Sequence, residues 1–382
     1  MREILGKTGN AVRKWPVLLM VRSLEHGGCE RDLTKLALHL NRDRFEPHVA
    51  VFRGGFRRRE LEAGDVPILD LPVTSFRNRS IWRGFQKLGR YLRAHNIGLI
   101  QAFDVPTDVF AAPAARWFGV PIITSQLSYR SLVSRGLRAA LRLSDRLSKR
   151  VVVNSRAVGD SLQQEFGLAE DKIYLCYNGV DLTQFHPQGR VRTEPLQDAS
   201  LVIGAICVMR PEKRVDWIIR AFAQVRPGHP GAKLLLVGSG PEAPRLRELA
   251  ESLGIRNACH FEESQADVAH WMRSTDIYIN SSASESFPNG LLEAMACGCC
   301  AIGSKVGGIP ELITHHEDGL IFDSSQPDDL TAQLHLAVSD AELRQKLQAK
   351  AIETASRRFS IAITARRMET LYEALLSSAN SR

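Results

Sequence analysis

The chain has 382 residues, 44% of them hydrophobic and 24% charged, enough for two ordinary cores and inconsistent with a wholly disordered or fibrous protein. Its seven cysteines follow no regular spacing, which argues against a disulfide framework; the formal charge of +8 divides into +12 for residues 1–190 and −4 for residues 191–382. The apolar run Pro16 to Val21 is far shorter than a membrane span, and nothing resembles a signal peptide. The expected location is the cytoplasm, free or peripheral on the inner face of the cytoplasmic membrane.

In chain order, residues 17–21 (Val-Leu-Leu-Met-Val) predict a buried strand. Gly27-Gly28 follows in a turn, and Leu33, Leu36, Ala37 and Leu40 then recur at helical spacing. Further strands are predicted at 48–52, 67–71, 98–102, 121–125 and 151–154, with helical patterns between several of them. After Phe185-His186-Pro187 a polar stretch to Ser200 reads as a linker. A second series of strands is predicted at 201–208, 232–237, 259–261, 276–279, 300–303 and 320–322. An amphipathic helix closes the chain from about 361. Short apolar strands alternating with helices predict parallel sheets covered on both faces. The expected fold class is therefore α/β, with two Rossmann-like parallel-sheet domains, residues 1–187 and 188–360, facing a central cleft. The helix at about 361–382 could pack on either, including back on the first domain.

The segment Glu285-Ser286-Phe287-Pro288-Asn289-Gly290-Leu291-Leu292-Glu293 follows the apolar Ile277-Tyr278-Ile279. It reads as strand, loop, helix, with one carboxylate in the loop and the other in the first helical turns. Pro288-Asn289-Gly290 opens the helix and leaves its first N–H groups for an anion such as phosphate. Two carboxylates beside a phosphate site suit a ligand with hydroxyls on both sides of its phosphates. Taken alone, the same pair also suits acid/base chemistry on a glycoside, or a solvated loop Glu and a Glu that favours the helix dipole.

Five segments in order resemble glycosyltransferase family 4 on the GT-B fold: Leu24-Glu25-His26-Gly27-Gly28-Cys29-Glu30-Arg31; Asn178-Gly179-Val180-Asp181; Arg210-Pro211-Glu212-Lys213; Val237-Gly238-Ser239-Gly240-Pro241-Glu242; and the Glu285/Glu293 segment continued through Gly307-Gly308-Ile309-Pro310-Glu311-Leu312. The resemblance covers about residues 16–375. It implies a retaining transferase moving a hexose from a nucleotide diphosphate sugar to a glycan or glycolipid acceptor in cell-surface glycan assembly. Lys213 and Arg210 would carry the charge of the leaving diphosphate. Glu293 would hold the ribose diol and Glu285 the sugar hydroxyls. Phe287, Asn289, Gly290, Leu291 and Leu292 would act through backbone N–H groups, Gly238 and Gly240 would floor the nucleotide, and Gly27 and Gly28 would approach the distal phosphate. A plain tight turn is the alternative at Gly27-Gly28.

Two departures stand out. The family's Arg falls five residues before its Lys, where this chain has Val208; Arg210 is only three before. The acceptor-side His is also missing from Ile123-Thr124-Ser125-Gln126-Leu127-Ser128-Tyr129-Arg130, with Leu127 in its place. Gln126, Ser128 and Arg130 are its candidate substitutes. Asp104 and Asp108 are further acceptor-side candidates, with helix capping as the alternative. No Asp-x-Asp motif occurs, so no cofactor and no catalytic metal are implied. Alternatives on the same fold are a sugar epimerase or phosphorylase, or a non-catalytic sugar- or RNA-binding protein.

Basic clusters occupy 53–59, 77–83 and 130–150, interleaved with Phe56 and Trp82. They fit an anionic membrane surface, RNA, an anionic glycan, or simply solvated faces; the membrane is the expected partner, and no nucleic acid is expected. Cys297, Cys299 and Cys300 read as small core residues, with metal binding as the alternative.

Overall fold

The computed structural model describes residues 14–380 apart from His26, Arg190, Thr193 and 264–266. The first half alternates β1 (Trp15–Val21), α1 (Gly28–His39), β2 (Phe45–Val51), α2 (Arg58–Ala63), β3 (Ile68–Asp70), α3 (Ser80–Ala94), β4 (Leu99–Ala102), α4 (Val105–Phe118), β5 (Ile122–Gln126), α5 (Arg135–Leu147), β6 (Arg150–Val153), α6 (Arg156–Phe166) and β7 (Ile173–Leu175). The second half continues with β8 (Leu201–Ile206), α7 (Val215–Val225), β9 (Ala232–Val237), α8 (Ala243–Ser252), β10 (Cys259–Glu262), α9 (Ala269–Arg273), β11 (Ile277–Asn280), α10 (Asn289–Ala296), β12 (Cys300–Ser304), α11 (Ile309–Leu312) and β13 (Leu320–Phe322). It ends with α12 (Pro327–Ser339), α13 (Ala341–Phe359) and α14 (Ile361–Asn380).

The strands form two sheets, ordered β3-β2-β1-β4-β5-β6-β7 and β10-β9-β8-β11-β12-β13. The pairings β1 with β2, β1 with β4, β8 with β9 and β11 with β12 are all parallel. In each sheet the first strand is central, and the chain winds to one side of it before returning to the other. That reversal creates a switch point, between β1 and β4 in one sheet and between β8 and β11 in the other. Ligands of open α/β sheets bind at the carboxyl ends of such strands. The predicted linker falls between β7 and β8, where one sheet gives way to the next.

By contact the chain groups into two compact units. One holds the described residues of Met1–Ser125, Arg135–Val151 and Ala365–Arg382; the other holds Gln126–Ser134 and Val152–Thr364. In the first, Val17 to Val21 are buried on both faces of β1, as a central parallel strand requires. Leu18, Met20, Ile100, Leu88, Leu92 and Phe110 share one core. The latter part of α14 belongs here: Tyr372 meets the Phe45 ring edge-on at 5.8 Å and donates to Gln101 Oε1. Helix α4 begins in a capping box, Asp104 with Thr107, and has a proline in its first turn. It stops at Gly119, φ 73°, the left-handed end that glycine permits.

In the second unit, Ile203, Ala205, Leu234, Leu236, Ile277 and Ile302 pack under α7 and α12. A further core gathers Phe287, Leu291, Met295, Cys297, Cys299 and Phe359. Cys297, Cys299 and Cys300 are fully buried free thiols.

Several element bounds differ from expectation; β2 runs from Phe45 to Val51 rather than over 48–52. β8 ends at Ile206 rather than Val208, because beyond it the backbone turns against Gly238 and Ser239: Met209 N–H donates to Ser239 O at 3.0 Å. β7, Ile173–Leu175, is not among the expected strands; it is only three residues long and half-buried. Among the described residues, no helix is long and apolar enough to cross a membrane.

Candidate functional site

The richest cluster lies in the second unit, at the β8/β11 switch point. After β8 the chain passes through Cys207–Arg210 into a single 3-10 turn, Pro211–Lys213. Arg214 follows at φ 47° and starts α7. After β11 comes the loop that carries Glu285 and ends at Pro288, ahead of α10. These two loops are stapled together. Ala283 N–H donates to Glu212 O at 2.7 Å. Ser281 Oγ lies 2.7 Å from Lys213 O and 3.0 Å from Arg214 O. The result is that Lys213 Nζ donates to Glu285 Oε2 at 2.6 Å, although 72 residues separate them. Ser282 Oγ donates to the same oxygen at 3.2 Å. The two side chains are only 25% and 16% exposed, so the charges meet with little water between them. Arg210 stands apart: it is 60% exposed, and its nearest carboxylate is Glu212 at 3.8 Å.

Helix α10 starts at Asn289, whose N–H donates to Phe287 O at 3.1 Å, with Pro288 before it and no side-chain cap bond from that residue; the positive end of the helix dipole lies here. Gly290 is needed for packing: a Cβ there would stand 2.7 Å from Tyr278 Oη, which itself donates to Ile206 O at 2.9 Å. Phe287, Leu291 and Leu292 bury their side chains, so what they can offer a ligand is backbone. Asn289 Oδ1 accepts from Asn178 Nδ2 at 3.0 Å, tying the predicted Asn178-Gly179 turn to the helix start. Glu293 is 1% exposed in the second turn. Burial pushes the Tyr278 phenol well above its ordinary range, with Cys207 and Glu293 adding negative charge.

Gly238 and Gly240 close the β9 side, at φ 143° and 156°. A Cβ on Gly238 would stand 1.9 Å from Cys207 O, and one on Gly240 2.3 Å from Met209 O. The spacing Gly-x-Gly thus serves close backbone approach as well as unusual φ. Burial lifts the Cys207 thiol to about 11, against a lowering influence from Lys213.

The segment 126–134 groups with this unit. Ser286 Oγ donates to Leu127 O at 2.7 Å. Tyr129 reaches the Gly307 turn, where a Cβ would stand 3.0 Å from its hydroxyl and 1.6 Å from Glu285 O. Burial, then Glu311 and Glu285, raise its phenol. Gln126 and Arg130 are buried: Arg130 Nε donates to Gln126 Oε1 at 2.7 Å, and Gln126 Nε2 donates to Ser128 O at 2.7 Å. Tyr129 carried no signal in the sequence beyond its place in the candidate segment. Glu311 belongs to the Gly307–Leu312 motif, in which the resemblance gives it no role. It accepts the amides of Arg156 and Ala157 at the start of α6, at 2.8 and 3.0 Å, and the Tyr177 hydroxyl at 2.9 Å.

In the first unit, Gly27 and Asp104 lie after β1 and β4, at that sheet's switch point. Gly27 precedes α1 at an ordinary φ of −97°, and Gly28 is the first helical residue; His26 lies outside the described residues. Asp104 accepts from Thr107 N–H at 3.0 Å and from Arg22 N–H at 2.9 Å, which makes it the cap of α4. Asp108, in the same helix, is buried.

Two parallel α/β sheets in tandem, each with its candidate residues at the switch point, make up the GT-B fold. The pattern described as "Glycosyltransferase Family 4" matches residues 26–184, and that described as "Glycosyl transferases group 1" matches residues 192–354. The chain belongs to glycosyltransferase family 4. It is 30% identical over 259 residues to the exopolysaccharide phosphotransferase of Streptomyces coelicolor, covering 67% of this chain and 26% of that protein. It is 30% identical over 211 residues to the N-acetyl-alpha-D-glucosaminyl L-malate synthase of Bacillus anthracis, covering 55% and 53%. The chain thus spans about a quarter to a half of the length of these relatives. Its fold matches Anabaena HepE, crystallised with UDP and glucose, at a TM-score of 0.82 and 23% identity, over 94% of this chain and 100% of that one.

Proposed function

We propose that this chain moves a hexose from a nucleotide diphosphate sugar to a lipid-linked or polysaccharide acceptor, with retention at the anomeric carbon. The observation that carries the reading is the Lys213–Glu285 pair at 2.6 Å, its carboxylate in the loop that leads into α10. A donor's diphosphate is attracted to the ammonium and to the α10 amides, and its sugar hydroxyls to the carboxylate. In the transfer step the bond from the anomeric carbon to the diphosphate oxygen breaks. The acceptor oxygen bonds to the same face of that carbon, and the acceptor's proton passes to the departing diphosphate. Lys213 and the helix dipole stabilise the negative charge as it forms. Glu293 holds the ribose, and Arg210 swings in to add a second cation. Of the acceptor-side candidates, we assign Asp104 to shaping the start of α4 in the first unit, and Gln126 and Arg130 to shaping their own segment in the second, since their polar atoms are engaged in bonds to the protein. The relatives' printed names, which include exopolysaccharide and malate chemistry, support a hydroxyl acceptor without selecting one. An anionic membrane is the surface on which a lipid-linked acceptor would be met.

The test is donor turnover by the purified protein over a panel of UDP-, GDP- and ADP-sugars, with and without acceptor. Release of nucleotide from one donor class, with product of retained configuration, is expected. Nucleotide binding with no turnover of any donor would favour a non-catalytic binding protein. Conversion of UDP-GlcNAc with no acceptor present would favour an epimerase.

A further inference from the structure

Helices α3, α4 and α5 of the first unit share an unusual composition. The carboxylates within them are Asp108 and Asp145, and both are buried. Their exposed positions include Arg83, Arg90, Arg93, Arg116, Arg142 and Arg146. On the same elements two indoles face solvent, Trp82 at 67% exposure and Trp117 at 77%. They are not isolated. Trp82 and Trp117 each meet Phe85 edge-on at 6.2 Å, and Phe85 lies 4.8 Å from Phe118. The Arg93 guanidinium stands 5.8 Å from the Phe118 ring centre. The ridge exists because α3 carries glycine where α4 presses against it: a Cβ on Gly89 would stand 2.2 Å from the Phe118 ring. Leu143 on α5 adds a further apolar side chain at 50% exposure.

From this we infer that the α3–α4–α5 face docks on an anionic lipid bilayer, with Trp82 and Trp117 seated at the headgroup level and the arginines on lipid phosphates. Indoles joined to a basic rim are what an interface of water and hydrocarbon selects. Cations on helices that carry no exposed acid of their own are what a negative leaflet attracts. RNA fits less well, because the Trp82, Phe85 and Trp117 rings meet edge-on at 67° and leave no parallel slot for a base. The cluster around Phe56 lacks this character. Arg57 pairs with Glu60, and Arg58 with Glu62 and Asp70, so its charge is largely met within the protein.

The inference deepens the lipid-linked acceptor proposed above, but its test needs neither donor nor acceptor. The full chain is sedimented with vesicles of phosphatidylcholine alone and of phosphatidylcholine with phosphatidylglycerol. We expect binding to the anionic vesicles that weakens with salt. Indole emission should be quenched by lipids brominated high on the acyl chain. The double variant Trp82→Ser, Trp117→Ser should bind roughly tenfold more weakly and lose most of that quenching, while keeping the wild-type thermal midpoint. A variant with Arg83→Glu and Arg142→Glu should lose the preference for anionic vesicles. Equal binding to both vesicle types, wild-type binding by the double tryptophan variant, or displacement from anionic vesicles by equimolar RNA would overturn the assignment. Donor turnover without vesicle binding would leave the transferase reading standing and remove this one.

Discussion

Lys213 and Glu285, 72 residues apart, form a 2.6 Å ion pair across the β8/β11 switch point. Each group is thus the other's counter-ion before any donor arrives. On the proposed reading, a bound diphosphate would draw Lys213 from Glu285 and so free the carboxylate to accept sugar hydroxyls at the same moment. The pair would then couple recognition of the two halves of the donor.

Replacing Lys213 with Ala should reduce donor turnover by about 10²–10³-fold, the usual cost of one lost electrostatic contact to a leaving group. Its side chain touches the loops rather than a core, so the thermal midpoint should stay close to wild type. Near-normal turnover by the purified, folded variant would sink the role assigned to Lys213.

Glu285→Gln has a less obvious expected outcome. Removing the carboxylate charge releases Lys213, so the bare nucleoside diphosphate should bind tighter, by about fivefold for an ion pair worth ~1 kcal/mol. Sugar turnover should fall in the same variant. Calorimetric titration reads the first effect and product formation the second; weaker nucleotide binding would contradict the coupling.

Gly238 combines φ 143° with a Cβ position 1.9 Å from Cys207 O. Gly238→Ala should cost at least about 1–3 kcal/mol from backbone strain alone. Gly228 has nothing within 4 Å of its Cβ position, so Gly228→Ala should stay within about 0.5 kcal/mol of wild type. Urea unfolding separates the two, and equal midpoints would show that the β9 turn relaxes freely.

Arg130 and Gln126 should behave as one unit. Their 2.7 Å bond is buried, and breaking a buried bond to a charged group costs about 1.5–3 kcal/mol. Arg130→Met and Gln126→Leu should each destabilise the fold, and the double variant by less than their sum. Strict additivity in a denaturant cycle would show that the two are energetically independent.

Alkaline sensitivity follows from the buried thiols and phenol. Burial lifts Cys207 from 9.0 to about 11 and Cys300 from 9.0 to about 12, and raises Tyr278 well above 10.0. Each folded value exceeds the unfolded one, so the neutral form is favoured in the fold. Their contribution is complete below about pH 9, where unfolded thiols begin to ionise, and is lost as pH rises through the folded values. The urea midpoint should hold from pH 7 to 8.5 and fall above it, less steeply in Cys300→Ala. A flat profile to pH 11 would contradict this.

Much of the architecture was legible before any coordinates. The runs Ala232–Val237 and Leu320–Phe322 are strands at the predicted bounds, because a doubly covered parallel strand needs a continuous apolar run and little else does. The positions of Lys213, Glu285 and the start of α10 were also written locally, in loops that follow strands. What the linear chain left open was which of these groups meet. That Glu285 pairs with Lys213 and that Glu311 caps α6 from 155 residues away depend on the order in which strands lie in a sheet. The aromatic ridge is the same case: Trp82 and Trp117 sit on different helices, and only the packing of α3 on α4 brings both to Phe85. Periodicity and spacing are properties of a segment, whereas charge pairing and surface character are properties of neighbours, and neighbours exist only once the sheet has chosen its strand order.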